Sequence, residues 1–231
     1  MKRFYKEVTA APVEGGWQVM LDGRPIRSQG GSPQIVPTQA LAEMLAAEWR
    51  DQGEVIDTAR FAMRDMADYA IDVVAKERGE VIEKLLTYGD TDTLLYRADP
   101  DEPLYQRQRA VWEPVVCACE ARHGIAFTRI SGVVHRPQKH ETLAALRARL
   151  EALDSFTLAG LFNLTTLAAS LITGLGVLEE SADVPALFTA ANAEEDWQAE
   201  LWGWDPVAED RRALRAEAFA LAAEFVKAAQ A

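Results

Sequence analysis

Hydrophobic and polar residues follow two different periods along the chain. Before Thr38 the apolar positions come in short runs, as in Trp17-Gln18-Val19-Met20-Leu21, then Asp22-Gly23, then Arg24-Pro25-Ile26-Arg27. Asp-Gly between two such runs signals a hairpin, because both turn positions must accept positive φ. Pro25 has no N–H to donate, which puts the second strand at a sheet edge or near a bulge. Phe4 to Thr9 and Gln34 to Val36 are two further strand candidates.

From Thr38 onward helical spacing takes over. Thr38 is placed to cap a helix carrying Leu41, Leu45 and Trp49, with Gly53 as its stop. Met63, Met66, Ala70, Ile71 and Val74 mark a second helix ending at Gly79, and Val81, Ile82, Leu85 and Leu86 a third ending at Gly89. Leu104 to Cys119 form a helix expected to kink or break near Pro114. After a short extended stretch, Ala126 to Ile130, a stripe of Leu143, Leu146, Leu150 and Leu153 resumes the helical period. Leu214, Ala218, Leu221 and Phe225 line the last helix. The expected architecture is α+β: a β-rich N-terminal domain over residues 1–58 and a helical C-terminal domain over 59–231.

Ser155 to Leu178 is free of charge and long enough on count to span a bilayer. Gly160, Asn163, Thr165, Thr166, Ser170, Thr173, Gly174 and Gly176 dilute it, and its flanks lack the Lys/Arg bias that orients spans. It reads as one buried core helix, so the chain is not expected to be an integral membrane protein.

Charge narrows the choice of partner. Of 231 residues, 24 are Lys or Arg and 36 are Asp or Glu, a net charge of −12. A nucleic acid backbone is thereby disfavoured as a partner, as are acidic membrane surfaces. Cys117 and Cys119 lie too close for an ordinary bridge and suggest a reducing compartment. The N-terminal residues are basic without an apolar run behind them, so no secretory signal is expected.

Chemistry has few footholds. Asp90-Thr91-Asp92-Thr93 matches a phosphotransferase pattern in which one Asp is a nucleophile and the other a general acid. That chemistry needs a preceding buried strand, whereas Val81 to Tyr88 has helical spacing, so a polar helix start with Asp90 or Asp92 near the dipole is the better reading. Cys117, Cys119 and His123 lack the second pair a structural zinc site uses, and no catalytic or metal-binding residue is assigned.

The interval between Arg149 and Arg211 stands out. It contains no Lys or Arg and twelve carboxylates, among them Glu194, Glu195, Asp196, Glu200 and Asp205, together with Trp197, Trp202 and Trp204. Each tryptophan taken alone is expected to point into the core. The one-sided charge as a whole, beside large aromatics, suits recognition of a basic, partly apolar partner.

Seven ordered stretches carry a resemblance to a known family. They are Arg3-Phe4-Tyr5-Lys6, then Trp17 through Leu21-Asp22-Gly23-Arg24-Pro25, Ala47-Glu48-Trp49 with Gln52, and Ala70-Ile71-Asp72. Asp92 with Leu94-Leu95-Tyr96-Arg97-Ala98 follows, then Gln108 to Trp112-Glu113-Pro114, then Gln198 with Trp202-Gly203 and Asp205. Together they resemble the assembly chaperones of F₁ ATP synthase that escort the α subunit in mitochondria and α-proteobacteria. Met63-Arg64-Asp65-Met66 departs from the family's usual pattern. The resemblance implies a β-rich then helical fold, binding to the unassembled α subunit, no catalysis and no cofactor. It points to Glu194 or Glu195 as a functional carboxylate, within a partner-binding set of Glu194, Glu195, Asp196, Trp197, Glu200, Trp202 and Asp205. A bacterial cytoplasmic protein, monomeric when free, is the expectation; for eukaryotic relatives it is the mitochondrial matrix.

Overall fold

The computed structural model describes residues 1–231. The chain forms two compact units, one of Met1–Arg78, Asp154–Gly160 and Leu221–Ala231, the other of Gly79–Leu153 and Leu161–Ala220. A small strand region is followed by mostly helices, the α+β class that the two periods predict.

In the first unit β1 (Val8–Val13), β2 (Gly16–Leu21) and β3 (Arg24–Pro25) form an antiparallel meander. β4 (Ile35–Val36) adds to β2, pairing Trp17 with Val36. The turn residues Asp22 and Gly23 have φ of 49° and 76°, as the Asp-Gly signal requires. Pro25 sits on an outer strand, where its missing N–H leaves no ladder bond unmade. The first strand begins later than predicted because Asp22 captures the chain ahead of it. Its Oδ1 accepts the N–H groups of Lys6 and Glu7 at 3.0 and 2.8 Å, so those N–H groups are not free for a ladder.

Helix α1 (Gln39–Arg50) packs on β1 and β2, burying Leu41 and Leu45 with Val19 and Val36. Thr38 caps it as predicted, accepting the Leu41 N–H at 3.1 Å and donating to the Ala228 carbonyl at 2.5 Å. Helix α2 (Ala62–Tyr69) has no capping side chain of its own. The Glu48 carboxylate serves instead, accepting the N–H groups of Met63 and Arg64 at 2.6 and 2.9 Å, and burial raises its pKa. A π-helical turn, Ala70–Val74, continues α2.

The second unit holds α3 (Arg78–Asp90), β5 (Tyr96–Arg97), α4 (Pro103–His123), β6 (Ile130–Ser131) and α5 (His140–Glu151). Strands β5 and β6 pair in parallel. Two predicted stops fail here. Gly79 and Gly89 both lie within α3, and a Cβ on Gly89 would come within 3.1 Å of Leu171 and 3.3 Å of Leu146, so this glycine serves packing. Helix α4 runs unbroken through Pro114 and ends at Gly124, whose φ of 63° suits a left-handed cap.

Residues 155–178 form two helices rather than the one predicted, α6 (Ser155–Ala168) and α7 (Leu171–Val177). Ala169 between them has a φ of 48°, and the Ser170 hydroxyl caps α7 by accepting the Thr173 N–H at 3.0 Å. The segment is still core, with Leu158, Leu161, Leu164 and Leu171 fully buried. No helix of the protein is long and apolar enough to cross a membrane. The rest of the chain forms α8 (Val184–Ala191), α9 (Ala193–Trp202) and α10 (Pro206–Ala229).

Candidate functional site

The two candidate chemistries of the sequence resolve into structural roles or scattered side chains. Asp92 is wholly buried and its carboxylate receives two backbone N–H groups, Leu94 at 3.1 Å and Ile172 at 2.9 Å. Beside it the Thr93 hydroxyl donates to the Ala169 carbonyl at 2.9 Å. The two residues thus clamp the corner between α6 and α7. Asp90 is the last residue of α3 rather than the start of a helix, and it accepts the Gln138 N–H at 2.6 Å. A helix, not a strand, precedes the pair. Cys117 is exposed beside Glu113 at 3.3 Å while Cys119 is buried on the same helix, its thiol pushed up by burial to about 12. Neither gathers with His123 into a group that would hold a metal.

The acidic interval is built around α8, α9 and α10. Asn192, between α8 and α9, ties the corner to α8 by donating to the Phe188 carbonyl at 2.8 Å and to α10 by accepting from Arg215 at 3.0 Å. Trp112 of α4 donates its indole N–H to the Ala190 carbonyl at 2.7 Å, anchoring the end of α8. Gln108 accepts the Ala98 N–H at 2.8 Å and donates to Glu194 at 2.5 Å. Two residues of the Gln108 to Pro114 stretch therefore act by placing the α8–α9 corner.

Glu194, Glu195 and Asp196 occupy the first turn of α9, where carboxylates complement the helix dipole. They do not stand free. Asp196 makes a two-pronged ion pair with Arg212 at 2.7 and 2.7 Å, and Glu195 pairs with Arg215. Glu200 pairs with Arg107 at 2.9 Å, and Glu179, further back in the acidic interval, with Arg122 at 3.0 Å. Arg212 also lies over the Phe188 ring, 5.1 Å from its centroid, and that ring packs on Phe219. Arginines from α4 and α10 thus offset part of the charge that looked one-sided in the sequence.

Past these pairs the site changes character. Trp197 is half-buried, but Trp202 is 77% exposed and Trp204 40%, against the expectation that each ring points inward. Leu201, Val207 and Leu214 are exposed as well. Gly203 ends α9 at φ 83° and ψ 160°, and Asp205 starts α10 by accepting the N–H groups of Val207 and Ala208. Leu201, Trp204 and Val207 lie exposed at the same corner but stand outside the predicted contact set, in which Trp204 was only a neighbouring aromatic. The signal for them was present in Gly203 and Asp205-Pro206, a stop followed by a start, which puts the neighbouring tryptophans on a turn.

The model of the ATP12 chaperone protein family matches residues 2–120. The chain belongs to the ATP12 chaperone family. Mitochondrial protein atp12 of Schizosaccharomyces pombe is 26% identical over 214 residues, covering 87% of this chain and 74% of that one. The crystal structure of Atp12 from Paracoccus denitrificans superposes with a TM-score of 0.93 at 37% identity, over 99% of this chain and 98% of that one. An aspartate-to-lysine variant of the P. denitrificans protein superposes equally well, with 97% of its chain covered. The ATP12 family model stops short of α8, α9 and α10, whereas the likeness to the P. denitrificans structures takes in nearly the whole chain, this corner included.

Proposed function

We propose that this chain is an assembly chaperone of the F₁ sector of ATP synthase, that it binds the unassembled α subunit, and that it shields the surface on which α meets its neighbour. Membership of the ATP12 chaperone family supports the general role. The observation that carries the finer reading is the α9–α10 region, where acidic groups and exposed tryptophans share one corner. A free subunit exposes apolar surface that assembly later covers, and such a patch aggregates unless it is masked. Glu194, Glu195, Asp196, Trp197, Glu200, Trp202 and Asp205 make up the proposed contact region. The protein acts as a monomer in the bacterial cytoplasm, without cofactor or catalysis.

The test is co-purification of the tagged chain with the α and β subunits of its host, each expressed separately. Retention of α at low salt, weakened as salt rises, is the expected result. Retention of β alone, or of neither, overturns the reading.

A further inference from the structure

The tip of the α9–α10 hairpin carries apolar surface that the fold does not use. Leu201, Trp202, Trp204 and Val207 fall within seven residues and are 55, 77, 40 and 55% exposed. Leu214, seven positions beyond Val207 and so on the same face of α10, is 65% exposed although the sequence placed it in an apolar stripe. Single exposed leucines are ordinary, but two tryptophans on one turn are not, because an aromatic this large is normally covered or used in recognition.

The tip is held in shape. Gly203 turns the chain at φ 83° and ψ 160°, a conformation essentially closed to residues with a Cβ. Asp205 fixes the start of α10 through two N–H bonds of 3.0 Å, and the Asp196–Arg212 and Glu195–Arg215 pairs brace the two helices against each other. A braced apolar tip loses little conformational freedom on binding.

Charge around the tip selects what covers it. Glu200 is already tied to Arg107 and Asp205 is used as a cap. Glu209, on the first turn of α10, and Asp210 after it lie exposed with no ion pair, followed by Arg211 and by Arg212, which is already tied to Asp196. A second copy of this chain would bring like-charged rims together, on molecules of net charge −12 each.

We propose that the α9–α10 tip is an apolar anchor that inserts into a recess on the client protein, a recess rimmed by Lys and Arg. Trp202 is its centre, and Glu209 and Asp210 face the basic rim. The arginine-paired carboxylates Glu195 and Asp196 set the position of the anchor. This rests on the reading that the client is the unassembled α subunit.

The experiment measures binding of the full-length protein to isolated α subunit by calorimetry, with thermal unfolding and light scattering run on every variant. The variants are Trp202→Ala, Glu209→Lys with Asp210→Lys, and Val133→Ser, which removes a valine 96% exposed on the loop after β6. Trp202→Ala is expected to weaken binding at least about tenfold with an unchanged melting temperature. The double reversal should weaken it more at low salt than at high salt, and Val133→Ser should bind as wild type. If wild type binds α and Trp202→Ala binds within about threefold of it, the anchor is wrong and the function stands. If wild type does not bind α, the functional reading falls, and the client named here with it. A concentration-dependent dimer abolished by Trp202→Ala makes a second copy the occupant and overturns the proposal, as does tighter binding of wild type to zwitterionic vesicles than to α.

Discussion

Asp92 is fully buried and sends its carboxylate to the backbone of two segments, at Leu94 and at Ile172. Asp92→Ala would strand both N–H groups, each at about 1–3 kcal/mol, so we expect a loss of at least about 2 kcal/mol in denaturant unfolding. Burial also pushes the carboxyl up to about 6 from its ordinary 3.8. The folded chain therefore holds this proton more tightly than the unfolded chain. The stability gained from protonation is fully present below the unfolded value and is lost as pH rises through about 6. Asp92→Asn does not titrate, so the melting temperature of wild type minus that of Asp92→Asn should be larger at pH 5 than at pH 7.5. An equal difference at both pH values would refute the assignment. The sequence made Asp92 visible as a motif residue, and its context argued against a nucleophile. Its actual partner was not legible, because Ile172 lies 80 residues away and offers only a backbone N–H.

The same distance problem recurs for whole elements. The Asp-Gly hairpin and the Thr38 cap were legible because each is decided within four residues. The break between α6 and α7 was not, since an alanine at φ 48° has no local signal and is held by Thr93 from outside. Gly160 in α6 belongs to this second kind. It sits where a Cβ would approach Val226 Cγ2 to 2.3 Å and Phe225 Cδ1 to 3.2 Å on α10. Gly160→Ala gains up to about 1 kcal/mol of helix propensity but overpacks the crossing by about 1–3 kcal/mol. Net destabilisation in chemical unfolding is the expected outcome, and a stabilised variant would show that the helices part without strain. For α9 the ion pairs set an order. Asp196 and Arg212 are 18 and 16% exposed at their side chains, Glu195 and Arg215 36 and 40%. Asp196→Lys should therefore lower the melting temperature more than Glu195→Lys, whose exposed pair is worth under about 1 kcal/mol. Equal shifts would mean that burial does not separate the two pairs.

At the scale of the molecule the proposed binding assigns different parts to the acidic excess and to the apolar tip. The excess was legible in composition alone, but its compensation was not. Arg107 and Arg122 come from α4, and Arg212 and Arg215 from the far side of the turn, so only the fold shows which carboxylates stay unpaired. Under that proposal a net charge of −12, partly neutralised by arginines at the α9–α10 corner, would act mainly at long range by drawing a basic partner in. Its reach shrinks with salt, from a Debye length of about 10 Å at 0.1 M to about 3 Å at 1 M. An apolar anchor acts only after contact, where it resists departure. The two contributions should separate in the kinetics of binding to the α subunit, followed by stopped-flow fluorescence of the tip tryptophans. Rising salt should lower the association rate of wild type steeply and leave its dissociation rate nearly constant. Substituting Leu201 by Ala should do the reverse, speeding dissociation several-fold while the salt dependence of association stays that of wild type. If salt instead changes the dissociation rate as strongly as the association rate, the carboxylates are buried against the partner in the bound state, and the charge is part of the contact rather than a field around it.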